Sequence, residues 1–143
     1  MNPTVKKLIK LSDFLETLKV GGCVAKFTTN AADATEQLNS AAGFQIVTSR
    51  PELTHGTNGD SFSAVIFILD KSLGNGRTAT KENTQYRDLL HLAGDVISAI
   101  VNSTEDGSCS RSLLGIELVS YNIVPEISIF GGWLGWSIEM DFE

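Results

Sequence analysis

The 143 residues predict a single α+β domain: a mostly antiparallel sheet of about four to five strands with two main helices packed on it. Three patterns carry this expectation. Thr4 to Lys19 and Glu82 to about Ser103 repeat apolar residues at three- and four-residue spacing, the period of a helix with one buried face. The C-terminal run alternates strictly, with Leu134, Trp136, Ile138, Met140 and Phe142 on one side and Ser137, Glu139, Asp141 and Glu143 on the other. That is the period of a half-buried strand. Phe62 to Leu69 is apolar on both faces, which asks for a central strand covered on both sides, by a helix and by something else, a second subunit included.

Taken in order, the first helix presents Val5, Leu8, Ile9, Leu11, Leu15 and Leu18 as its stripe, begins at Pro3 and is stopped by Gly21-Gly22. Phe14 lies at the edge of the stripe, placed to seal against a neighbour. Cys23 to Phe27 reads as a short strand. Thr29 to Ala42, with Leu38 as its one large apolar residue, fits either a short helix or an ordered loop. Phe44 to Thr48 resumes a strand that Pro51 ends. The turn-rich stretch from His55 to Asp60 contains Asn-Gly, a hairpin signal leading into Phe62. Leu73 to Lys81 is a glycine-containing loop. The long helix follows, with Tyr86, Leu89, Leu90, Ala93, Val96, Ile97, Ile100 and Val101 inward. Leu113 to Val124 is a strand stopped by Pro125, and Gly131-Gly132 bend the chain into the last strand. The expected order is α-β-(α)-β-β-α-β-β, with the helices on one face.

Composition narrows the function classes. An apolar fraction of 42% is ordinary, and a chain this long buries about two-thirds of its unfolded surface, enough for a core. No run approaches the roughly 18 apolar residues of a membrane span, and the N-terminus lacks the continuous apolar core of a secretory signal. The expected location is cytoplasmic. Two cysteines without a paired motif, Cys23 and Cys109, read as buried thiols. A net charge of −6 argues against general nucleic-acid binding, which needs a basic face.

The inventory for catalysis is thin. Only His55 and His91 are available as histidine bases, and nothing in the sequence ties either to a nucleophile. Asp88, His91 and Asp95 share one face of the long helix and would need a further ligand to hold a metal; a solvated helix face is the plainer reading. Gly74 to Thr78 lacks the lysine and the glycine spacing of a phosphate loop. Trp133, among three glycines, suits hairpin packing, a protein interface or, less well, stacking of a base or sugar. Glu139, Asp141 and Glu143 stand about 7 Å apart along one strand face, a solvated acidic stripe or one facing a channel or partner. No catalytic, cofactor-binding or metal residue is assigned.

The order of elements nevertheless resembles a family. An amphipathic first helix precedes a hairpin ending in Phe62–Leu69. A loop and a long helix containing Tyr86-Arg87-Asp88-Leu89-Leu90-His91-Leu92-Ala93-Gly94-Asp95-Val96-Ile97 follow, and two strands close with Trp136-Ser137-Ile138-Glu139-Met140-Asp141-Phe142. This is similar to the tail-terminator and tail-completion proteins of long-tailed bacteriophages, in order and pattern over most of the chain. The resemblance implies a virion protein assembled in the host cytoplasm. It implies a homo-oligomeric ring, commonly a hexamer, that ends tail-tube growth and joins the tube to head-connector proteins. DNA would pass through without being specifically bound, helped by an acidic opening that does not trap phosphates. The loop bearing Leu73 and Arg77 would dock on a neighbouring ring, with Phe14 and Trp133 as further candidate interface residues. A partner-binding accessory domain and, less well supported, a metal-dependent enzyme are the alternatives.

Overall fold

The computed structural model describes residues 2–73, 76, 78–104 and 115–143. It is an α+β fold with a mostly antiparallel sheet, as the periodicities require. Helix α1 (Pro3–Glu16) starts where Asn2 caps it: the Asn2 side chain accepts hydrogen bonds from the backbone N–H groups of Thr4 (2.9 Å) and Val5 (3.3 Å), with Pro3 next in line. The helix ends at Glu16, three residues before the expected Lys19, because Thr17 turns out of it and its hydroxyl donates back to the Asp13 carbonyl. Leu18 stays buried beyond the helix. The glycine pair expected to stop the helix instead makes the turn of a small hairpin, β1 (Lys19–Val20) and β2 (Cys23–Val24), with positive φ at both Gly21 and Gly22.

The strand expected over Cys23–Phe27 is broken at Ala25, whose N–H donates to the Leu18 carbonyl, and resumes as β3 (Lys26–Thr28). The ambiguous stretch after it is a helix, α2 (Ala31–Leu38), capped by the Asn30 side chain accepting from the Asp33 N–H and buried through Ala34 and Leu38. Because α2 carries the chain across, β3 runs parallel to β4 (Gln45–Ser49). Pro51 does end β4, but pairing resumes at once: β5 (Glu52–Gly56) continues β4 end to end along β6 (Gly59–Lys71), Thr48 facing Ile66 and Glu52 facing Ser63. In the gap, the Val65 N–H donates to the Ser49 hydroxyl at 2.9 Å. Helix α3 (Ala79–Thr104) begins three residues earlier than expected. Strands β7 (Leu118–Ile129) and β8 (Trp133–Phe142) close the sheet.

Strand order is β3-β4-β6-β8-β7, with β5 beside β6. The expectation that Pro125 stops its strand is wrong: β7 runs through it. Among the described residues β7 is the outermost strand and pairs with β8 alone, so a missing N–H does not interrupt a central ladder.

The two faces of the sheet differ. On one, α1 and α3 cover Ile46, Phe62, Ala64, Ile66, Ile68, Ile138, Met140 and Phe142 in the main core. On the other, α2 covers one end only, where Ala34, Leu38, Val47, Leu69 and Trp133 form a second cluster. Helices therefore lie on both faces, not on one. The second layer that β6 asks for exists at Leu69 and fades along the strand, leaving Phe67, Val65 and Ser63 half-buried. Within α3, Leu92 is buried and Leu90 exposed, so the stripe sits slightly around the helix from the expected one. Among the described residues no helix is long and apolar enough to cross a membrane.

Two glycines test this packing with opposite signs. A Cβ on Gly135 would lie 1.9 Å from the Ile68 carbonyl oxygen, and its φ is +151°. Gly135→Ala is therefore expected to destabilise by about 3 kcal/mol or more. Gly94, in mid-α3, has nothing within 4 Å of an added Cβ, so Gly94→Ala should stabilise by about 0.5–1 kcal/mol. Denaturant midpoints of the two variants check both signs.

Candidate functional site: an open sheet edge and an acidic face

The residues singled out from the sequence do not converge. Trp133 is 1% exposed, packed under α2 beside Leu38, Val47 and Leu69, which removes it as an interface anchor or stacking platform. Its alternation parity places it on the sheet face that α2 covers, and two flanking glycines with positive φ (Gly131 and Gly132) turn the chain so that it points inward. Phe14 is half-buried against the main core. Leu73 is exposed just beyond β6, where the neighbouring Ser72 N–H donates to the Gly132 carbonyl. Arg77 and Cys109 lie outside the described residues. The Cys23 thiol donates to the Phe44 carbonyl at 3.1 Å.

The chemistry candidates separate as well. Asp88, His91 and Asp95 are all exposed on α3, and among the described residues no group of three His, Cys, Asp or Glu side chains is placed to hold a metal. His55 does have a partner. Its Nδ1 meets Asp60 Oδ1 across the β5–β6 hairpin, and the Thr4 hydroxyl donates to Asp60 Oδ2 at 2.6 Å. A carboxylate thus sits between the hydroxyl and the imidazole, and hydroxyl and imidazole are not bonded to each other, so the trio lacks the nucleophile–base contact of an acyl-transfer site. The cavity beside it, lined by Asn2, Thr4, Val5, Leu53, His55 and Asp60, is about 230 Å³, below the roughly 300 Å³ at which ligand pockets begin. What the trio does is tie the start of α1 to the hairpin.

Hydrogen bonds from Thr4 and then His55 hold the Asp60 carboxyl below its ordinary value of 3.8. The charged form is therefore favoured in the folded chain. Its contribution is fully present above about pH 4 and is lost as pH falls through the lowered value. Asp60→Asn is expected to flatten the decline of stability below pH 4 while leaving Gly135-dependent packing untouched. Urea midpoints measured from pH 6 down to pH 2.5 in both proteins check this.

The acidic residues fare differently. Glu139, Asp141 and Glu143 are exposed, on the sheet face that α2 leaves open. Around them the register of β7 places Asn122 opposite Glu139, Ser120 opposite Asp141 and Val124 opposite Ser137. Ser137 donates to Glu126 Oε1 at 2.9 Å and Ser120 to Asp141 Oδ2 at 3.4 Å. Residues 115–143 hold Glu117, Glu126, Glu139, Asp141 and Glu143 and no Lys, Arg or His, so the β7–β8 pair carries acids and no cation.

The feature that sequence reading missed is the edge beside this face. Val119, Tyr121, Ile123, Val124 and Ile127 are all exposed along β7. Edge strands are commonly blunted by lysine, proline or bulges. Here the register slips between Leu118 and Ser120 and again between Glu126 and Ile129, and Pro125 adds a third interruption, but Ser120 to Val124 has no charge. The apolar character of the run was visible in the sequence; that it forms an outermost strand was not. Two bonds fix β7 against the helix layer. The Tyr86 hydroxyl donates to the Glu126 carbonyl at 2.7 Å, and the Trp136 indole N–H donates to the Tyr86 carbonyl at 2.8 Å, the two rings meeting edge to face at 5.7 Å. No protein-family model matches the chain, nor does any curated protein.

Proposed function

We propose that the chain is a structural, non-catalytic subunit that assembles with copies of itself into a ring, of the tail-terminator or tail-completion kind that its element order resembles. The single observation that carries this reading is the exposed apolar edge strand β7, a surface that an isolated domain has reason to cover. The open acidic face supports it: a ring that presented Glu139, Asp141 and Glu143 to its opening would let DNA slide past without trapping phosphates. In that setting the neighbours are tail-tube and head-connector proteins in the virion, and the loop bearing Leu73 and Arg77 docks on one of them. No reaction is required of the subunit.

The mass of the purified full chain tests the reading. Light scattering over a range from micromolar to several hundred micromolar is expected to show a closed species of several copies, seen as rings by electron microscopy. A chain that stays monomeric across that range, and also in the presence of tail-tube protein, contradicts it.

A further inference from the structure

The Asn-Gly pair that signals the hairpin is also a reactive feature of it. Pairing of β5 with β6 runs through His55↔Asp60 to Gly56↔Gly59, so Thr57 and Asn58 make the whole turn. Both are exposed, as is Gly59. Asn2 and Asn30 use their side chains to cap helices, but among the described residues the Asn58 side chain has no hydrogen-bond partner. It is also the one described asparagine that glycine follows. Gly59 has a φ of +118° and open space where a Cβ would stand. The Asn58 side chain is thus open to attack by the backbone nitrogen of the next residue, which a side chain there would crowd.

We infer that Asn58 is a site of spontaneous deamidation and that its products unfasten the start of α1. The Gly59 nitrogen gives up its proton and bonds to Asn58 Cγ. The Cγ–Nδ2 bond breaks and ammonia leaves with that proton, closing a five-membered cyclic imide. Water then opens the ring. Cleavage of the new bond gives aspartate; cleavage of the original peptide bond gives isoaspartate, whose main chain runs through Cβ and Cγ. The sum is asparagine plus water to acid plus ammonia, with no oxidant or reductant. Gly59 must leave its pair with Gly56 to react, and that pair is the last rung of the hairpin, where opening is easiest.

Position gives the change its consequence. A two-residue loop fixes hairpin register, and isoaspartate adds one main-chain atom to it. The next rung inward is His55↔Asp60, whose side chains meet and whose Asp60 Oδ2 accepts from the Thr4 hydroxyl at 2.6 Å. Either product also adds a carboxylate two residues from that of Asp60, and like charges repel. From Asn2 to Lys10 no residue of α1 or its cap is fully buried, so the start of the helix depends on this clasp. The inference does not rest on the ring reading.

Ageing the purified full chain at pH 8.5, beside a sample held at pH 6, tests it. Peptide masses are expected to show conversion at Asn58 ahead of Asn30, Asn39 and Asn122, with enzymatic methylation of isoaspartyl carboxylates marking the same peptide. Amides of residues 4–9 in the aged chain are expected to exchange about three- to tenfold faster, the net worth of a hydrogen bond or two, while those of residues 89–100 are unchanged. Asn58→Gln, which cannot close the five-membered ring, is expected to age without the change in α1, and so separates Asn58 from Asn75. If Asn58 keeps its amide, the inference is overturned. Conversion with α1 exchange unchanged, faster exchange in α3 as well, or the same α1 change in aged Asn58→Gln overturns it too.

Discussion

The sheet is wider than the helix layer that covers it, and much of the molecule follows from that shortfall. An α-helix with its side chains is about 10 Å across, so two of them cover about 20 Å. Five strands spaced about 4.8 Å apart span about 24 Å. Helices α1 and α3 lie over the strands from β5 to β8, and the β1–β2 hairpin, against α3 and β4, fills in beyond them with Val20 and Cys23. One strand remains, and it is β7. Its side chains on the helix side are correspondingly exposed although those of β8 beside it are buried.

What keeps this arrangement from relaxing is the close fit of the layers at β8. Gly135 lies against the Ile68 carbonyl with no room for a side chain, which brings β8 tight onto the central strand β6. One residue on, Trp136 points the other way and donates to the backbone of α3, while Tyr86 of α3 reaches past it to β7. Helix, central strand and edge strand are thereby locked in one position. Were α3 free to slide outward it would bury Tyr121 and Ile123 at the expense of Phe62, Ala64, Ile66 and Ile68, which are buried under it and α1. The apolar surface left at β7 is a consequence of covering the more apolar strand.

Much of this fold was legible in the sequence because period carries it. The long helix, the last strand and the two-faced strand β6 were all anticipated from spacing, and side-chain parity correctly placed Glu139, Asp141 and Glu143 in solvent. Failures arose where tertiary position overrides local pattern. Pro125 breaks a central strand but not an outermost one, and strand order is set by long-range pairing. For Trp133 the sequence offers hairpin packing first and an interface second; that α2, an element of small residues with one leucine, covers it is set by the tertiary fold. The exposed flank of α1 was invisible for the same reason: Val5 and Ile9 belong to a helical stripe that looks wholly inward, and the placement of α1 at the margin of the layer leaves them out.

In the proposed reading, the same shortfall that exposes β7 supplies the surface for assembly. Amide hydrogen exchange, followed segment by segment at low and at high protein concentration, tests this most directly. The account predicts that Tyr121–Val124 gains protection as concentration rises, while Leu134–Phe142 is unchanged. No gain of protection at β7 would contradict it.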